Sequence, residues 1–240
     1  DVLVASLLSG AATHGVMALE NTIAGSIIPN YALIDTNNLH IVGEEYLNIH
    51  HHLMALPGQQ IAHIKEVWSH PMALLQCKEF FKKHPHIKLV EDVDTADVAK
   101  RIAKENLVGI AAIAPKIAAE IFDLEVLEDE IQTMKDNATR FVIVQTQEPT
   151  HKIDHINKAS LKFQLNHKRG SLAAILNVLS DCKMNLTKIQ SLPVIEMPWK
   201  YSFFVDVTFE DYKDYLKVVK IIEIMAEEFK ILGTYKNGRK

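Results

Sequence analysis

Three polar residues that could take part in chemistry stand together in the segment 137–141, which reads Asn-Ala-Thr-Arg-Phe. They directly precede the apolar run 141–144, which is typical of a buried strand. In α/β proteins, ligand sites form where strands of the sheet end. Arg140 could pair with a carboxylate through two parallel N–H donors. The Thr139 hydroxyl could donate a hydrogen bond or relay a proton, although a hydroxyl is a poor acid. Taken alone, the segment also fits the plain start of a strand.

Three other segments place hydroxyl, amide or imidazole side chains after apolar runs, namely residues 20–26, 69–71 and 94–96. We expect each segment to follow a strand and to begin a helix, and all three strands to belong to one sheet. The free N–H groups at the start of a helix bind anions, so three such starts would suit a small substrate with two negative charges. Taken one at a time, each segment is equally typical of an ordinary helix cap.

Apolar strands and helical patterns alternate through the first three-fifths of the chain. This alternation predicts an α/β fold with βαβ units and a mostly parallel sheet. A polar stretch at 146–152, which contains Pro149, is the best candidate for a linker. Beyond it, the pattern indicates four strands and two helices in the order βαββαβ, which is the split-βαβ topology. We therefore predict two separable domains, 1–148 and 158–240.

The composition argues against several classes of protein. The chain has 240 residues, of which 48% are hydrophobic, and its formal net charge is −4. Because Lys and Arg form no stripe, the charge gives no support to nucleic-acid binding. No apolar run is long enough to predict a membrane span. The two cysteines, Cys77 and Cys182, fall in different predicted domains, which argues against a disulfide framework and favours the cytoplasm.

His50, His51 and His52 are consecutive, which raises the question of a metal site. Consecutive side chains cannot all face one ion in a regular helix or strand. No Cys or His stands at the usual zinc spacing from them, so we predict no metal site. The chain begins with Asp1 rather than Met, and we expect an N-terminal segment to be missing.

These segments together resemble the signatures of the prephenate dehydratase family, in the order that the family has them. The resemblance rests on Glu20-Asn21-Thr22 with Gly25, Ser69-His70-Pro71, Gln76-Cys77, Asp94-Thr95-Ala96 and Thr139-Arg140-Phe141. It implies a two-lobed, periplasmic-binding-protein-like catalytic domain over 1–148. It also implies a lyase that converts prephenate to phenylpyruvate, with loss of water and carbon dioxide, in L-phenylalanine biosynthesis. No cofactor is implied, because aromatisation drives the reaction and positioned dipoles can catalyse it.

The resemblance also implies roles for individual residues. Thr139 and Arg140 are the predicted catalytic residues, with Thr139 at the departing hydroxyl and Arg140 at a substrate carboxylate. The predicted substrate-binding residues are Asn21, Thr22, Ser69, His70, Thr95 and Phe141. The chain departs from the family at Thr22, where Ser is more frequent, and at Met72, where Gln is common.

Residues 158–240 resemble the ACT domain, a ferredoxin-like βαββαβ unit that commonly follows such a catalytic domain. The resemblance implies that L-phenylalanine binds there as a feedback effector and that the chain forms a homodimer or homotetramer. The predicted effector-binding residues are Gly170, Ser171, Leu172, Asn185, Leu186, Gln190 and Ser191. Gln190 and Leu192 stand where the family has an acidic and a basic residue, so an ion pair is lost.

Two other functions stay open at this point. An arogenate dehydratase would perform the same reaction on the amino-acid analogue of prephenate, and these residues suit either substrate. A non-catalytic amino-acid sensor would combine the same α/β unit with an effector-binding domain. The segment 139–141 argues against the sensor, because it carries groups that are suited to chemistry.

Overall fold

The secondary-structure elements are short and alternate along most of the chain. The protein is represented by a computed structural model, in which residues 2–148, 155–166, 168–194, 197 and 199–239 are described. The helices are α1 (Val2–Leu8), α2 (Ile28–Thr36), α3 (Pro71–Gln76), α4 (Lys78–Phe81), α5 (Ala96–Glu105), α6 (Lys116–Phe122), α7 (Ser171–Asp181) and α8 (Tyr212–Met225). The strands are β1 (Gly15–Asn21), β2 (Gly25–Ser26), β3 (His40–Asn48), β4 (His52–Ala55), β5 (Glu66–Ser69), β6 (Lys88–Glu91), β7 (Ile110–Ala114), β8 (Glu125–Glu128), β9 (Ala138–Gln145), β10 (Lys158–Gln164), β11 (Asn185–Pro193), β12 (Tyr201–Thr208) and β13 (Glu228–Tyr235). Among the described residues, no helix is both long and apolar enough to cross a membrane.

The chain divides into two compact units whose limits differ from the predicted domains. The first unit contains residues 1–21, 25–47 and 139–240, and the second contains residues 22–24 and 48–138. The start of the chain therefore packs with its end. Of the predicted linker, residues 149–152 lie outside the described residues, and the domain boundary near residue 148 stays a prediction.

The second unit is built on a five-stranded sheet with the order β6-β5-β7-β4-β8. β5 pairs in parallel with β6 and β7, whereas β4 pairs antiparallel with β7 and β8. The prediction of a mostly parallel sheet is therefore wrong, because apolar periodicity reports burial but not strand direction. Leu53 and Ile113 pack on one face of the sheet with residues of α3 and α4. Met54 and Ala112 pack on the other face with residues of α5 and α6.

Two helices of this unit begin in the segments 69–71 and 94–96, as the sequence predicts. Pro71 is the first residue of α3, and the His70 side chain accepts a hydrogen bond from the Met72 N–H at 3.2 Å. Asp94 Oδ1 accepts hydrogen bonds from the first two N–H groups of α5, at 2.7 and 3.0 Å. Both side chains thus accept hydrogen bonds from backbone N–H groups that have no partner within the first turn of the helix.

The first unit contains a four-stranded sheet with the order β2-β1-β9-β3. β1 pairs antiparallel with β2 and with β9. Residues 20–26 therefore form a hairpin rather than a helix start, and Gly25, with φ of +84°, occupies the left-handed region that favours glycine. The expectation of three helix starts on one sheet is wrong, since β1 and the strands β5 and β6 belong to different sheets.

The C-terminal part has the predicted order β10-α7-β11-β12-α8-β13. Its four strands form one sheet with the order β11-β12-β10-β13, in which every neighbouring pair is antiparallel. Both helices cover one face of this sheet. The core between them includes Leu161, Phe163, Ile175, Leu179, Val205, Val207, Val218 and Ile222. The prediction of a βαββαβ unit is confirmed.

The other face of this C-terminal sheet packs against the four-stranded sheet of the same unit. Val142 of β9, Phe204 of β12 and Tyr235 of β13 belong to a single buried cluster. At Gly233, an added Cβ would lie 2.0 Å from the carbonyl oxygen of Ile41, so the two backbones touch. One hydrophobic core therefore includes residues from both sides of the predicted boundary, and the separability of the two parts stays a prediction.

Candidate active site

Thr139 lies at the start of β9, beside the end of β1. In the ladder between these strands, Asn21 is opposite Thr139. The Asn21 Nδ2 donates a hydrogen bond to Thr139 Oγ1 at 3.1 Å. Because Thr139 accepts in this contact, its own O–H can be donated to another group. The structure thus brings together two of the predicted site residues, a hydroxyl and the amide that orients it.

Arg140 is placed on the opposite face of β9, because successive side chains of a strand alternate. Its side chain is only 2% exposed. The Nε donates to Glu44 at 2.7 Å, one terminal nitrogen donates to the Tyr235 hydroxyl at 2.8 Å, and the other donates to Asp206. The prediction that Arg140 binds a substrate carboxylate does not fit this geometry, since each of its guanidinium nitrogens already serves a protein acceptor.

The Arg140 side chain belongs to a buried cluster that balances two cations with two carboxylates. Lys158 Nζ donates to both oxygens of Glu44, at 2.8 and 2.9 Å. Burial and the nearby Arg140 lower the pKa of Lys158, against the opposing effect of Glu44. Burial also acts to lower the pKa of Arg140, but Asp206, Tyr235 and Glu44 outweigh it, so that pKa is raised. The guanidinium is therefore held in its charged form.

A hydroxyl relay completes this charged cluster on the C-terminal sheet. Ser160 donates to Asp206. The Tyr235 hydroxyl lies 2.6 Å from Ser160 Oγ. Because the Ser160 proton already serves Asp206, Tyr235 is the donor in that second contact. Burial, and then Asp206, raise the pKa of Tyr235 well above its ordinary value, so the phenol keeps its proton.

Asn137 belongs to a second polar cluster, which lies in the second unit and is built from neutral groups. Gln76 Oε1 accepts from Asn137 Nδ2 at 2.9 Å and lies 2.8 Å from His51 Nε2. Gln132 Oε1 accepts from the backbone N–H of His51 at 2.9 Å. Burial lowers the pKa of His51, so the ring is neutral and its Nε2–H donates to Gln76. The sequence reasoning did not place Gln76 or Gln132 in a site, although Gln76 stood in a family-like segment.

Two more of the predicted substrate-binding residues, Thr22 and Ser69, make hydrogen bonds to backbone groups that are distant in sequence. The Thr22 hydroxyl accepts from the Ala138 N–H at 3.0 Å and donates to the Asp136 carbonyl at 3.3 Å. Ser69 is fully buried, and its hydroxyl donates to the Ile113 carbonyl at 2.8 Å, which ties β5 to β7. The expectation that Ser69 positions the substrate therefore does not fit this geometry.

The three other predicted substrate-binding residues lie at the start of a helix or on the face of a strand, namely His70, Thr95 and Phe141. His70 is exposed and caps α3. Asp94 caps α5, and the hydroxyl of the half-exposed Thr95 makes no capping hydrogen bond there. Phe141 is half-buried and lies on the Thr139 face of β9, by the alternation of the strand. These placements keep all three as predicted site residues.

The three consecutive histidines have different partners. His51 faces Gln76, His52 Nδ1 lies 2.9 Å from Asp129, and His50 Nδ1 lies 3.5 Å from Glu130. Over the described ranges, no group of three His, Cys, Asp or Glu side chains is arranged to hold a metal ion. The three side chains thus face three different partners rather than one shared point.

Sequence comparison decides the family. The family described as prephenate dehydratase matches residues 1–149. The chain belongs to the prephenate dehydratase family. It is 30% identical, over 98% of its length, to the bifunctional chorismate mutase/prephenate dehydratase of Buchnera aphidicola subsp. Acyrthosiphon pisum. It is 38% identical, over 90% of its length, to arogenate dehydratase/prephenate dehydratase 2, chloroplastic, of Arabidopsis thaliana. It spans 61% and 55% of those two relatives.

Solved structures share the fold of this family member. The structure described as the quorum quenching acylase GqqA superposes with a TM-score of 0.86 at 26% identity, covering 97% of this chain and 85% of that one. The prephenate dehydratase of Arthrobacter aurescens, solved in complex with L-Phe, gives a TM-score of 0.84 at 24% identity, covering 98% of this chain and 78% of that one.

The residues predicted to bind an effector lie at two places in the C-terminal sheet and helices. Gly170 caps α7 in the left-handed region, with φ of +82°, and Ser171 and Leu172 open that helix. Asn185, Leu186, Gln190 and Ser191 lie on the edge strand β11. Leu192, where the family has a basic residue, packs against the hydrophobic core shared by the two sheets, which gives its apolar side chain a structural reason.

Proposed function

We propose that the chain catalyses the conversion of prephenate to phenylpyruvate, carbon dioxide and water. The ring carboxylate leaves as carbon dioxide, and the electron pair of the broken C–C bond moves through the ring. The C–O bond to the ring hydroxyl then breaks, and the hydroxyl takes up a proton and departs as water. The ring becomes aromatic, which supplies the driving force without a redox change.

The observation that carries this proposal is the hydrogen bond from Asn21 Nδ2 to Thr139 Oγ1 at 3.1 Å. Asn21 occupies the acceptor side of the Thr139 oxygen, and this orients the O–H of Thr139 for donation to the departing hydroxyl. Thr139 relays the proton and regains one from solvent. A preorganised donor of this kind is worth about 10²–10³-fold in kcat in other enzymes.

The residues proposed to bind substrate are Asn21, Thr22, His70, Thr95 and Phe141. Arg140 and Ser69 are proposed to support them from within the fold, because both are buried and bonded to protein groups. The reaction itself calls for no cofactor, since decarboxylation and loss of water balance each other in electrons.

The direct test supplies prephenate and arogenate separately to the same preparation. We expect stoichiometric phenylpyruvate and carbon dioxide from prephenate, with a higher kcat/KM than for arogenate. Turnover of arogenate alone, to phenylalanine, would establish the arogenate dehydratase alternative, an activity that the name of the Arabidopsis thaliana relative includes. Turnover of neither substrate would contradict the proposal and return the non-catalytic sensor to first place.

We further propose that residues 158–240 form an ACT domain that binds L-phenylalanine and pairs with a second copy of the chain. The βαββαβ order and the left-handed Gly170 at the start of α7 support this. The Phe-complexed structure that shares the fold belongs to a prephenate dehydratase. A substitution at Gly170 would be strained by its φ and would also place a side chain in open space where a ligand can approach.

Calorimetry tests the effector site with a matched pair of variants. Gly58 also has a positive φ and open space around an added Cβ, but it lies in the second unit. We expect heat of phenylalanine binding in the wild type and in Gly58→Val, and none in Gly170→Val. No binding heat in the folded wild type at millimolar phenylalanine would contradict the proposed effector.

A further inference from the structure

The charged cluster around Arg140 joins β9 to the C-terminal sheet. Asp206 of β12 accepts from Arg140 and from Ser160 and is only 4% exposed. Ser160 of β10 is directly opposite Asp206 in the ladder between their strands. The hydrogen bond from Ser160 therefore fixes the position of the Asp206 carboxylate within the C-terminal sheet, independently of Arg140.

Arg140 is the backbone neighbour of Thr139. In the ladder between β1 and β9, Asn21 is opposite Thr139 and Glu20 is opposite Arg140, and a bulge follows between Ala18 and Glu20. The bulge disrupts the ladder between β1 and β9 next to residue 140. Because the side chain of Arg140 is anchored, it helps to fix the position of the neighbouring residue, Thr139.

The anchoring is geometrically complete, because the planar guanidinium of Arg140 meets three different residues. Its three nitrogens donate to Glu44, Asp206 and Tyr235, in three directions. A planar fork held at three points cannot rotate or slide without breaking a contact. The carboxylate of Asp206 is the charged group by which the C-terminal sheet anchors the guanidinium of Arg140.

We propose that Asp206 is a positioning residue for the dehydration, which holds Arg140 and thereby fixes Thr139 against Asn21. This inference rests on the proposed function, since it names the residue that keeps the donor in place. It makes the C-terminal sheet part of the catalytic apparatus through one carboxylate. Misplacement of a catalytic group by about 1 Å can lower a rate by about 10²-fold.

A matched control exists in the same unit. Asp35 of α2 pairs with Lys162 of β10 at 2.6 Å and with Lys230 of β13 at 3.3 Å. These pairs also join the first part of the chain to the C-terminal sheet, but they do not involve β9. Asp35→Asn and Asp206→Asn both remove one carboxylate from that junction, and they differ in whether Arg140 loses its partner.

The kinetic test compares both variants in the full chain with prephenate. We expect Asp206→Asn to lower kcat about 10-fold or more with a smaller change in KM, and Asp35→Asn to leave both within about 2-fold of wild type. In a Thr139→Val background, Asp206→Asn should have little further effect, because the group that it positions is already absent. Equal losses from the two Asp variants, or a full additional loss in the Thr139→Val background, would overturn the inference.

Hydrogen exchange of the backbone amides of residues 138–141 gives a readout that does not depend on turnover. We expect faster exchange there in Asp206→Asn and wild-type rates in Asp35→Asn, and unchanged exchange in both would overturn the inference. Should Asp206→Asn fail to fold, Tyr235→Phe removes another acceptor of Arg140 and keeps the ring, and the same changes are expected in smaller degree. If hydrogen exchange changes in the variants as expected but the wild type does not turn over prephenate, the proposed function is refuted. The positioning of Thr139 by Asp206 is then still supported.

Discussion

Asn137 and Arg140 lie three residues apart in one segment, yet each belongs to a different kind of polar cluster. Asn137 joins a neutral cluster of amides and one imidazole in the second unit. Arg140 joins a charged cluster of two cations and two carboxylates in the first unit. The neutral cluster is held together by hydrogen bonds between uncharged groups, whereas in the second cluster each charge also requires an opposite charge.

This difference shows how much each segment depends on its partners. A neutral group that loses a partner leaves a buried donor or acceptor unsatisfied, whereas a charged group leaves an uncompensated charge in a medium of low dielectric constant. Thr139, which lies between Asn137 and Arg140 in the sequence, is half-buried and accepts from Asn21. The residues around the proposed donor are thus structural in two physically distinct ways.

The largest effect on stability is expected where the charge balance is broken. Arg140→Met keeps much of the side-chain length and removes the cation, so Glu44 and Asp206 lose a shared partner. We expect the free energy of unfolding to fall by about 3–5 kcal/mol, measured by urea denaturation. Arg101→Met is the control, because Arg101 is 39% exposed and pairs with Asp92, and its loss should change stability by about 1 kcal/mol or less. Similar losses from both variants would contradict the importance of the buried cluster.

A smaller loss is expected in the neutral cluster. Gln76→Leu keeps the side-chain volume and removes the oxygen that accepts from His51 and Asn137. We expect a loss of about 1–3 kcal/mol in the free energy of unfolding. Gln147→Leu, at an exposed position, should leave it nearly unchanged. If Gln76→Leu were as damaging as Arg140→Met, the distinction between neutral and charged clusters would fail.

The helices and strands themselves were easier to predict from the sequence than the way in which the strands pair. Pro71, Asp94 and the βαββαβ order were predictable because caps and periodicity are local properties. Strand direction in the five-stranded sheet was not, since no local pattern records which strand of a sheet is the neighbour. The hairpin at residues 20–26 was mistaken for a helix start because hydroxyls and Gly occur in both.

The candidate site divides along the same line. Thr139 and Asn21 were predictable from residue type and resemblance, and the structure places them in contact. The role of Arg140 was not predictable, because its partners Glu44, Asp206 and Tyr235 are distant in sequence and have no motif of their own. Gln132 was missed for the same reason, since its contact to the His51 backbone depends on tertiary structure.

The smallest effect expected is a pH dependence that originates in the neutral cluster. Burial lowers the pKa of His51 below its ordinary value, and its Nδ1 is buried without a hydrogen-bond partner among the described residues. The unfolded chain therefore binds a proton at this residue more readily than the folded chain does. The stabilisation is complete above about pH 6.5, the ordinary pKa of histidine, and is lost as the pH falls towards the lowered pKa of the folded state.

This sign is tested by urea denaturation between pH 5 and pH 8 in the wild type and in His51→Gln. We expect the free energy of unfolding of the wild type to fall more steeply on acidification than that of the variant. Parallel curves would show that His51 does not contribute to the pH dependence.

The central claim is that the Thr139 hydroxyl serves catalysis while its neighbour Arg140 serves the fold. The most direct measurement is kcat for phenylpyruvate formation from prephenate in Thr139→Val, which keeps the shape and removes the hydroxyl, with Thr139→Ser as the control that keeps it. We predict a fall of about 10²-fold or more for Thr139→Val, with a free energy of unfolding within about 1 kcal/mol of wild type, and substantial activity in Thr139→Ser. Near-normal turnover by Thr139→Val would contradict the account.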